Sequence, residues 1–596
     1  MSSRSRGLIL GAFIGLIVLG AMFVFVRKAK TVPVVEGDPP AIPAALGRDV
    51  SPTVGPPKVK LAVLVVFDQM RGDFIDRKWS EHYVAGGFRR LQTEGIHFTN
   101  CYYPYGVTST GPGHASVLSG TSPDKHGVVN NEWFDVATSS THYCAGSDRY
   151  DIVPPPSPVP KHRPTAGNPN RFLSPTVADV LKQATGDKGK VFGLSLKDRS
   201  AILPVGHKPD GAYWFDGRFV TSTFYRDTVH PWVADFNRSK LADNWFEKPW
   251  TKFRPDVDYV GYSGPDDMRG ENPLLGRGTT FPHTMTGGKK ELGKEYYDAL
   301  LHSPYGNDLL LALAKSCIVA EGLGSRDVPD LLTVSFSSND AIGHAYGPDS
   351  QEVMDVTLRS DAIVADFLSF LDDKVGKGNY SLVLTSDHGI CPLPELSSIL
   401  GRDSKRVAVI SLLLGAERHL QARFGKLDGD FGDQVSEKKT TWIETISAPW
   451  LFINERLCAA KGVKKETVAA EYAAWLRQQP DILNAYTAEE LLKPNTLDET
   501  GKLMARSFYP GRCGDLGVVL KPYYLIEAKI STAGTIHGSP HDYDRYVPLM
   551  VYGPNLKPGK SEEAIVPQQA AAILSYYLGL SPPKDNEYSL PKAMGK

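Results

Sequence analysis

The 596-residue chain predicts an α/β fold with a central, mostly parallel sheet flanked by helices. Two observations carry this. Four short apolar runs, at residues 60–67, 191–196, 331–336 and 382–385, each hand over to polar residues, near Asp68, Lys197, Asp340 and Asp387. Such largely apolar runs suit strands buried on both faces, and the helical patterns between them suit crossovers of a parallel sheet. Ligands of open α/β sheets sit beyond the carboxyl ends of the strands, so these handovers should converge on one crevice.

Taken in order, residues 7–26 are an uncharged apolar run of about the length that spans a bilayer core as a helix. They run straight into Arg27 and Lys28 without an A-x-A-like cleavage pattern, so an N-terminal membrane anchor with an exported, periplasmic or extracellular remainder is expected. Residues 31–58 carry seven prolines and read as a spacer. One catalytic domain is expected over residues 59–590, monomeric, with insertions near 140–175, 210–290 and 405–532; no internal repeat is found. Basic and acidic residues balance at 66 and 67, which argues against nucleic acid as an obligatory partner. Six scattered cysteines include no C-x-x-C pair, and the sequence chooses between disulfides and buried thiols no further.

Six candidate metal ligands lie in four segments: Asp68, Asp340 with His344, Asp387 with His388, and His537. Asp340 and His344 are four apart, a spacing that puts both on one face of a helical turn. Gly389 and Gly538, next to His388 and His537, allow close backbone approach. Carboxylate plus imidazole ligation suits zinc, with iron or manganese as chemical substitutes. A single such pair is as well explained by surface or capping contacts; the set is not.

Thr110 opens T-G-P-G-H, a hydroxyl residue followed by Gly and Pro and then a helical apolar pattern. That is a helix N-terminus, and from this segment alone Thr110 reads equally as a cap. The functional alternative uses the free N–H groups and dipole of such an end to attract phosphate, with metal coordination activating the threonine hydroxyl. Lys197 and Arg199, two apart on what reads as an extended segment, would project to one face and add positive charge.

Asp68, T-G-P-G-H at Thr110, H-G-V-V-N-N at residues 126–131, D-A-I-G-H, S-D-H-G and the late T-I-H-G, in this order, resemble the alkaline phosphatase superfamily in its nucleotide pyrophosphatase/phosphodiesterase-like branch. The run S-L-K-D-R-S-A-I-L-P at residues 195–204 is similar to that of the phosphate-irrepressible alkaline phosphatases, the monoesterases of that branch. The resemblance spans residues 58–582. It implies two zinc ions per chain, one held by Asp340, His344 and His537, the other by Asp68, Asp387 and His388. Thr110 would contact both and form a covalent phosphothreonine. Asn131 would donate to a nonbridging phosphoryl oxygen, with Asn130 the one-residue alternative. Lys197 and Arg199 would bind the same group.

The expected activity is therefore zinc-dependent hydrolysis of small phosphate monoesters with release of inorganic phosphate. The alternative is a phosphodiesterase or nucleotide pyrophosphatase on the same dinuclear site; a monoester carries more negative charge than a diester, and the Lys197/Arg199 pair favours it. No C/S-x-P-x-R motif is present for an arylsulfatase. A non-catalytic scaffold is disfavoured because every ligand position and the nucleophile are filled.

Overall fold

The apolar run L-A-V-L-V-V-F forms a strand over Leu61–Phe67 with every residue buried. Its alternate side chains serve two different cores: Ala62, Leu64 and Val66 join one, and Leu61, Val63, Val65 and Phe67 the other. The sheet is therefore apolar on both faces, as the unbroken run requires. The computed structural model describes residues 43–47, 50–156, 166–272, 276–426, 441–527 and 534–595.

Ten strands make the main sheet: in chain order β1 (Leu61–Phe67), β2 (Ile96–Phe98), β3 (Ile152–Val153), β4 (Val191–Ser195), β5 (Gly211–Phe215), β6 (Phe219–Ser222), β7 (Asp330–Phe336), β8 (Tyr380–Thr385), β9 (Leu549–Tyr552) and β10 (Gly559–Ser561). Across the sheet they run β10-β2-β9-β8-β1-β7-β4-β5-β6-β3. The four strands expected from sequence are the adjacent β8-β1-β7-β4, all parallel. Their register puts Phe336 opposite Phe67, so β1 and β7 end level. Antiparallel pairs lie toward the margins, making the sheet mixed.

Helices cover both faces. On one side α1 (Thr110–Ser119) and a C-terminal helix, Gln569–Leu578, enter the first core; on the other, Pro304–Glu321 and Gln351–Leu371 enter the second. The stretch 210–290, read from sequence as an insertion, begins by continuing the main sheet with β5 and β6. β5, G-A-Y-W-F, is an apolar run as long as central β4, and β6, F-V-T-S, returns beside it as the second strand of a hairpin. In the stretch 405–532, a separate four-stranded sheet (Ile443–Ser447, Trp450–Ile453, Leu516–Leu520 and Ile482–Thr487) and its helices enclose a third core around Trp442, Leu457 and Tyr472. All six cysteines are free and buried.

The expectation of a transmembrane chain is corrected: among the described residues no helix is long and apolar enough to cross a membrane. The longest, Gln351–Leu371, carries Glu352, Asp355, Arg359 and Asp361 and packs on the sheet. The run at residues 7–26 lies outside the described residues.

Candidate active site

The carboxyl ends of the four central strands deliver most of the polar residues. Asp68 directly follows β1, Asp387 and His388 follow β8, and Lys197 follows β4. Asp340 and His344 sit on a helix, Ser338–Tyr346, that starts just after β7, with His344 Nε2 3.1 Å from Asp340 Oδ1. His537 enters on the loop leading back to β9. Two compact groups result, Asp68 with Asp387 and His388, and Asp340 with His388 and His537; within each, the ligand atoms lie within 4.8 Å of one another. His388 thus belongs to both groups. His344, assigned by resemblance to the second, touches Asp340 but falls outside its compact core.

All three histidines are oriented alike. Nδ1 of His344, His388 and His537 lies 2.7, 2.9 and 2.8 Å from the carbonyl oxygens of Thr535, Gly389 and Thr108. A carbonyl only accepts, so Nδ1 carries the proton and Nε2 is left to face the cluster, the arrangement of metal-ligating imidazoles; at His344, Asp340 Oδ1 lies 3.1 Å from Nε2 and raises the imidazole pKa despite burial. Burial, with His388 and His344 alongside, holds the His537 imidazole well below its ordinary pKa and so neutral.

The carboxylates are crowded. Burial and then Asp387 push the Asp68 carboxyl well above its usual range, and the fully buried Asp68 Oδ1 has no hydrogen-bond partner. Asp340 is held well below that range despite burial, by His344 and Lys197. Lys197 Nζ lies 2.6 Å from Asp68 Oδ2 and 2.5 Å from Asp340 Oδ2, one carboxylate from each group. Three buried carboxylates, three imidazoles with Nε2 turned to the cluster and an orphaned carboxylate oxygen fit divalent cations of the zinc type.

Ser109 is the N-cap of α1 and Thr110 its first residue; neither side chain makes a capping bond. Thr110 Oγ1 instead lies 3.4 Å from His388 Nε2 and 3.4 Å from Arg199 Nη2. Close packing sets this geometry, since a Cβ on Gly113 would stand 2.3 Å from the Asp387 carbonyl oxygen. Asn131 Oδ1 accepts from the Gly111 N–H at 2.6 Å, which leaves its Nδ2 as a donor, whereas Asn130 spends its amide on Ser109 and Ala448. Lys197 and Arg199 do not share an extended segment: Lys197 immediately precedes the short helix Asp198–Ile202 and Arg199 lies in its first turn, yet both reach the cluster.

Three residues at the site carried no signal that sequence reasoning used. Gln69, at φ 71°, donates from its backbone N–H to Asp387 Oδ1 at 3.1 Å and from its amide to Asp340 Oδ1 at 2.6 Å, linking the two groups. His114 Nδ1 lies 3.2 Å from Asp387 Oδ2, and its Nε2 2.8 Å from Ser335 Oγ. Tyr143 contacts Asp198 and Arg199. Only His114, inside T-G-P-G-H, stood in a motif already singled out.

The profile of the type I phosphodiesterase / nucleotide pyrophosphatase family matches residues 62–544. Alkaline phosphatase PafA of Elizabethkingia meningoseptica is 32% identical over 516 residues, 85% of this chain and 89% of that protein. A protein of Myroides odoratus named calcium-transporting ATPase is 31% identical, covering 89% and 93%. Alkaline phosphatase PhoV of Synechococcus elongatus is 32% identical, covering 90% and 93%. The crystal structure of wild-type PafA superposes with a TM-score of 0.80 at 29% identity, over 91% of this chain and 99% of that one.

Proposed function

Because this chain belongs to the type I phosphodiesterase / nucleotide pyrophosphatase family, we propose that it is a zinc-dependent phosphate monoester hydrolase acting through a phosphothreonine at Thr110. The reaction class, phosphoric monoester hydrolysis, is that of the relatives named alkaline phosphatase. The observation that carries the mechanism is Thr110 Oγ1 standing 3.4 Å from both an imidazole nitrogen of the candidate metal cluster and a guanidinium.

Asp68, Asp387 and His388 would hold one zinc ion, and Asp340, His344 and His537 the other. When bound, the pair supplies Lewis acidity that lowers the Thr110 hydroxyl pKa and offsets phosphoryl charge. Thr110 Oγ1 attacks phosphorus in line with the leaving oxygen, and the P–O bond to that oxygen breaks as the threonine ester forms, the threonine proton ending on the departing alcohol. Asn131 Nδ2 and the Arg199 guanidinium hold nonbridging oxygens through charge-assisted contacts. Lys197 keeps Asp68 and Asp340 from repelling a dianion. Water then displaces Thr110 from phosphorus, one of its protons restoring the Thr110 hydroxyl, and inorganic phosphate is released. Here the protein's contribution is positioning and charge stabilisation.

The same centre would serve diester hydrolysis, which the family's description favours. Turnover of an aryl phosphate, a bis-aryl phosphate and an aryl sulfate by the purified chain with defined zinc separates the readings. The monoester should be preferred in kcat/KM; a diester preference would reverse the assignment.

A further inference from the structure

Arg199 is a long side chain with little to hold it. Among the described residues, the guanidinium has two hydrogen-bond contacts: Nη2 with Thr110 at 3.4 Å, and Nη1 donating to the Tyr143 hydroxyl at 3.2 Å; its buried Nε has none. The Tyr143 hydroxyl donates in turn to Asp198 Oδ1, which also accepts the backbone N–H of Arg199 at 2.7 Å. One carboxylate oxygen therefore gathers the arginine backbone and the tyrosine, and the tyrosine oxygen aims the fork. Burial and then Asp198 raise the Tyr143 pKa well above its ordinary value, so the phenol stays protonated and keeps donating.

Tyr143 is itself fixed to the other phosphate-facing residue. It ends the hairpin Glu132–Asp135/Ser140–Tyr143, which begins one residue after Asn131, and the Cys144 N–H closes the base on the Asn131 carbonyl at 2.9 Å. The hairpin leans on the sheet of the 405–532 stretch through the Phe134–Phe452 ring pair at 5.3 Å, and Asn130 Nδ2 donates to Ala448 O at 2.8 Å.

We propose that Tyr143 is a positioning residue that aims the Arg199 guanidinium at the phosphoryl group and so sets the preference for monoesters over diesters. This rests on the reading of Arg199 as a phosphoryl-binding residue. Without the hydroxyl, the guanidinium regains rotamers that it must lose again on binding a dianion. A monoester, with the extra charge for Arg199 to sense, suffers most.

The test is a double-mutant cycle on the full chain with zinc, using Tyr143→Phe, Arg199→Ala and the pair, with kcat/KM for an aryl phosphate and a bis-aryl phosphate, zinc content and Tm. Tyr143→Phe should lower monoester kcat/KM about tenfold, the effect of one hydrogen bond to a charged group, and lower the monoester/diester ratio similarly. In the Arg199→Ala background it should cost less than about twofold. Equal losses on both substrates, or full additivity, would overturn the proposal and make Tyr143 a structural prop. Normal monoester hydrolysis by Arg199→Ala would instead remove the underlying reading. Should Tyr143→Phe lose zinc or melt early, Asp198→Ala, which frees the same hydroxyl, must show the same coupling to Arg199.

Discussion

His388 Nε2 and Thr110 Oγ1 stand 3.4 Å apart, joining the end of β8 to the first residue of α1. The contact explains why a threonine at a helix start makes no capping bond here: its hydroxyl is turned toward the carboxylate–imidazole cluster.

Removing that hydroxyl isolates its role. We expect Thr110→Ala to lower monoester kcat by at least about a hundredfold while zinc content, read by elemental analysis, is kept, because the six carboxylate and imidazole ligands remain. Near-normal turnover would eliminate the covalent route.

The cations beside the site act on charge. Lys197→Ala with Arg199→Ala should depress monoester hydrolysis much more than diester hydrolysis, since both the buried Asp68/Asp340 pair and the dianion lose their counter-charge. Parallel falls in the two kcat/KM values would remove the charge argument for a monoesterase.

Chelation tests the metal. Dialysis against a strong chelator should abolish turnover and lower Tm, because Asp68 and Asp387 are left buried side by side. Zinc should restore both, saturating at two per chain. Activity that survives chelation would sink the metal reading.

Close packing at α1 gives a steric prediction. A methyl at Gly113 would meet the Asp387 carbonyl oxygen at 2.3 Å, so Gly113→Ala should displace Thr110 and cost about 1–3 kcal/mol. Denaturant melts and kcat measured on the same sample should both fall. An unchanged kcat would show that the helix start has slack.

Glu271 gives a pH-dependent prediction for stability. It is 8% exposed, both carboxylate oxygens lack hydrogen-bond partners, and burial followed by Glu352 pushes its pKa from 4.5 to about 10. A carboxyl raised on folding destabilises the native state above its unfolded pKa, and the cost grows with pH until the folded pKa is passed. Glu271→Gln should therefore raise Tm by a few degrees at pH 8, with the gain closing toward pH 4.5. A gain independent of pH would contradict the sign.

Much of the architecture was legible because it is local. The runs that became β1, β4, β7 and β8 show their burial as mostly apolar stretches, and the four-residue spacing of Asp340 and His344 is that of a helix turn. β5 and β6 were missed because their short hairpin lies in a stretch mostly without strand or helix periodicity, and Gln69 because a positive φ and a two-sided bridge leave no mark in residue type.

By itself, the sequence determined which residues are candidates for a metal and phosphate site, and that most of them follow the ends of parallel strands, since periodicity and spacing are properties of near neighbours. Only the tertiary structure decided that His388 faces both ligand groups, that Lys197 bridges Asp68 and Asp340, residues 129 and 143 positions away, and that Tyr143 reaches Arg199. The physical reason is range: hydrogen bonds and ion pairs act over a few ångströms, and which distant groups come that close is settled by how the buried faces of sheet and helices pack.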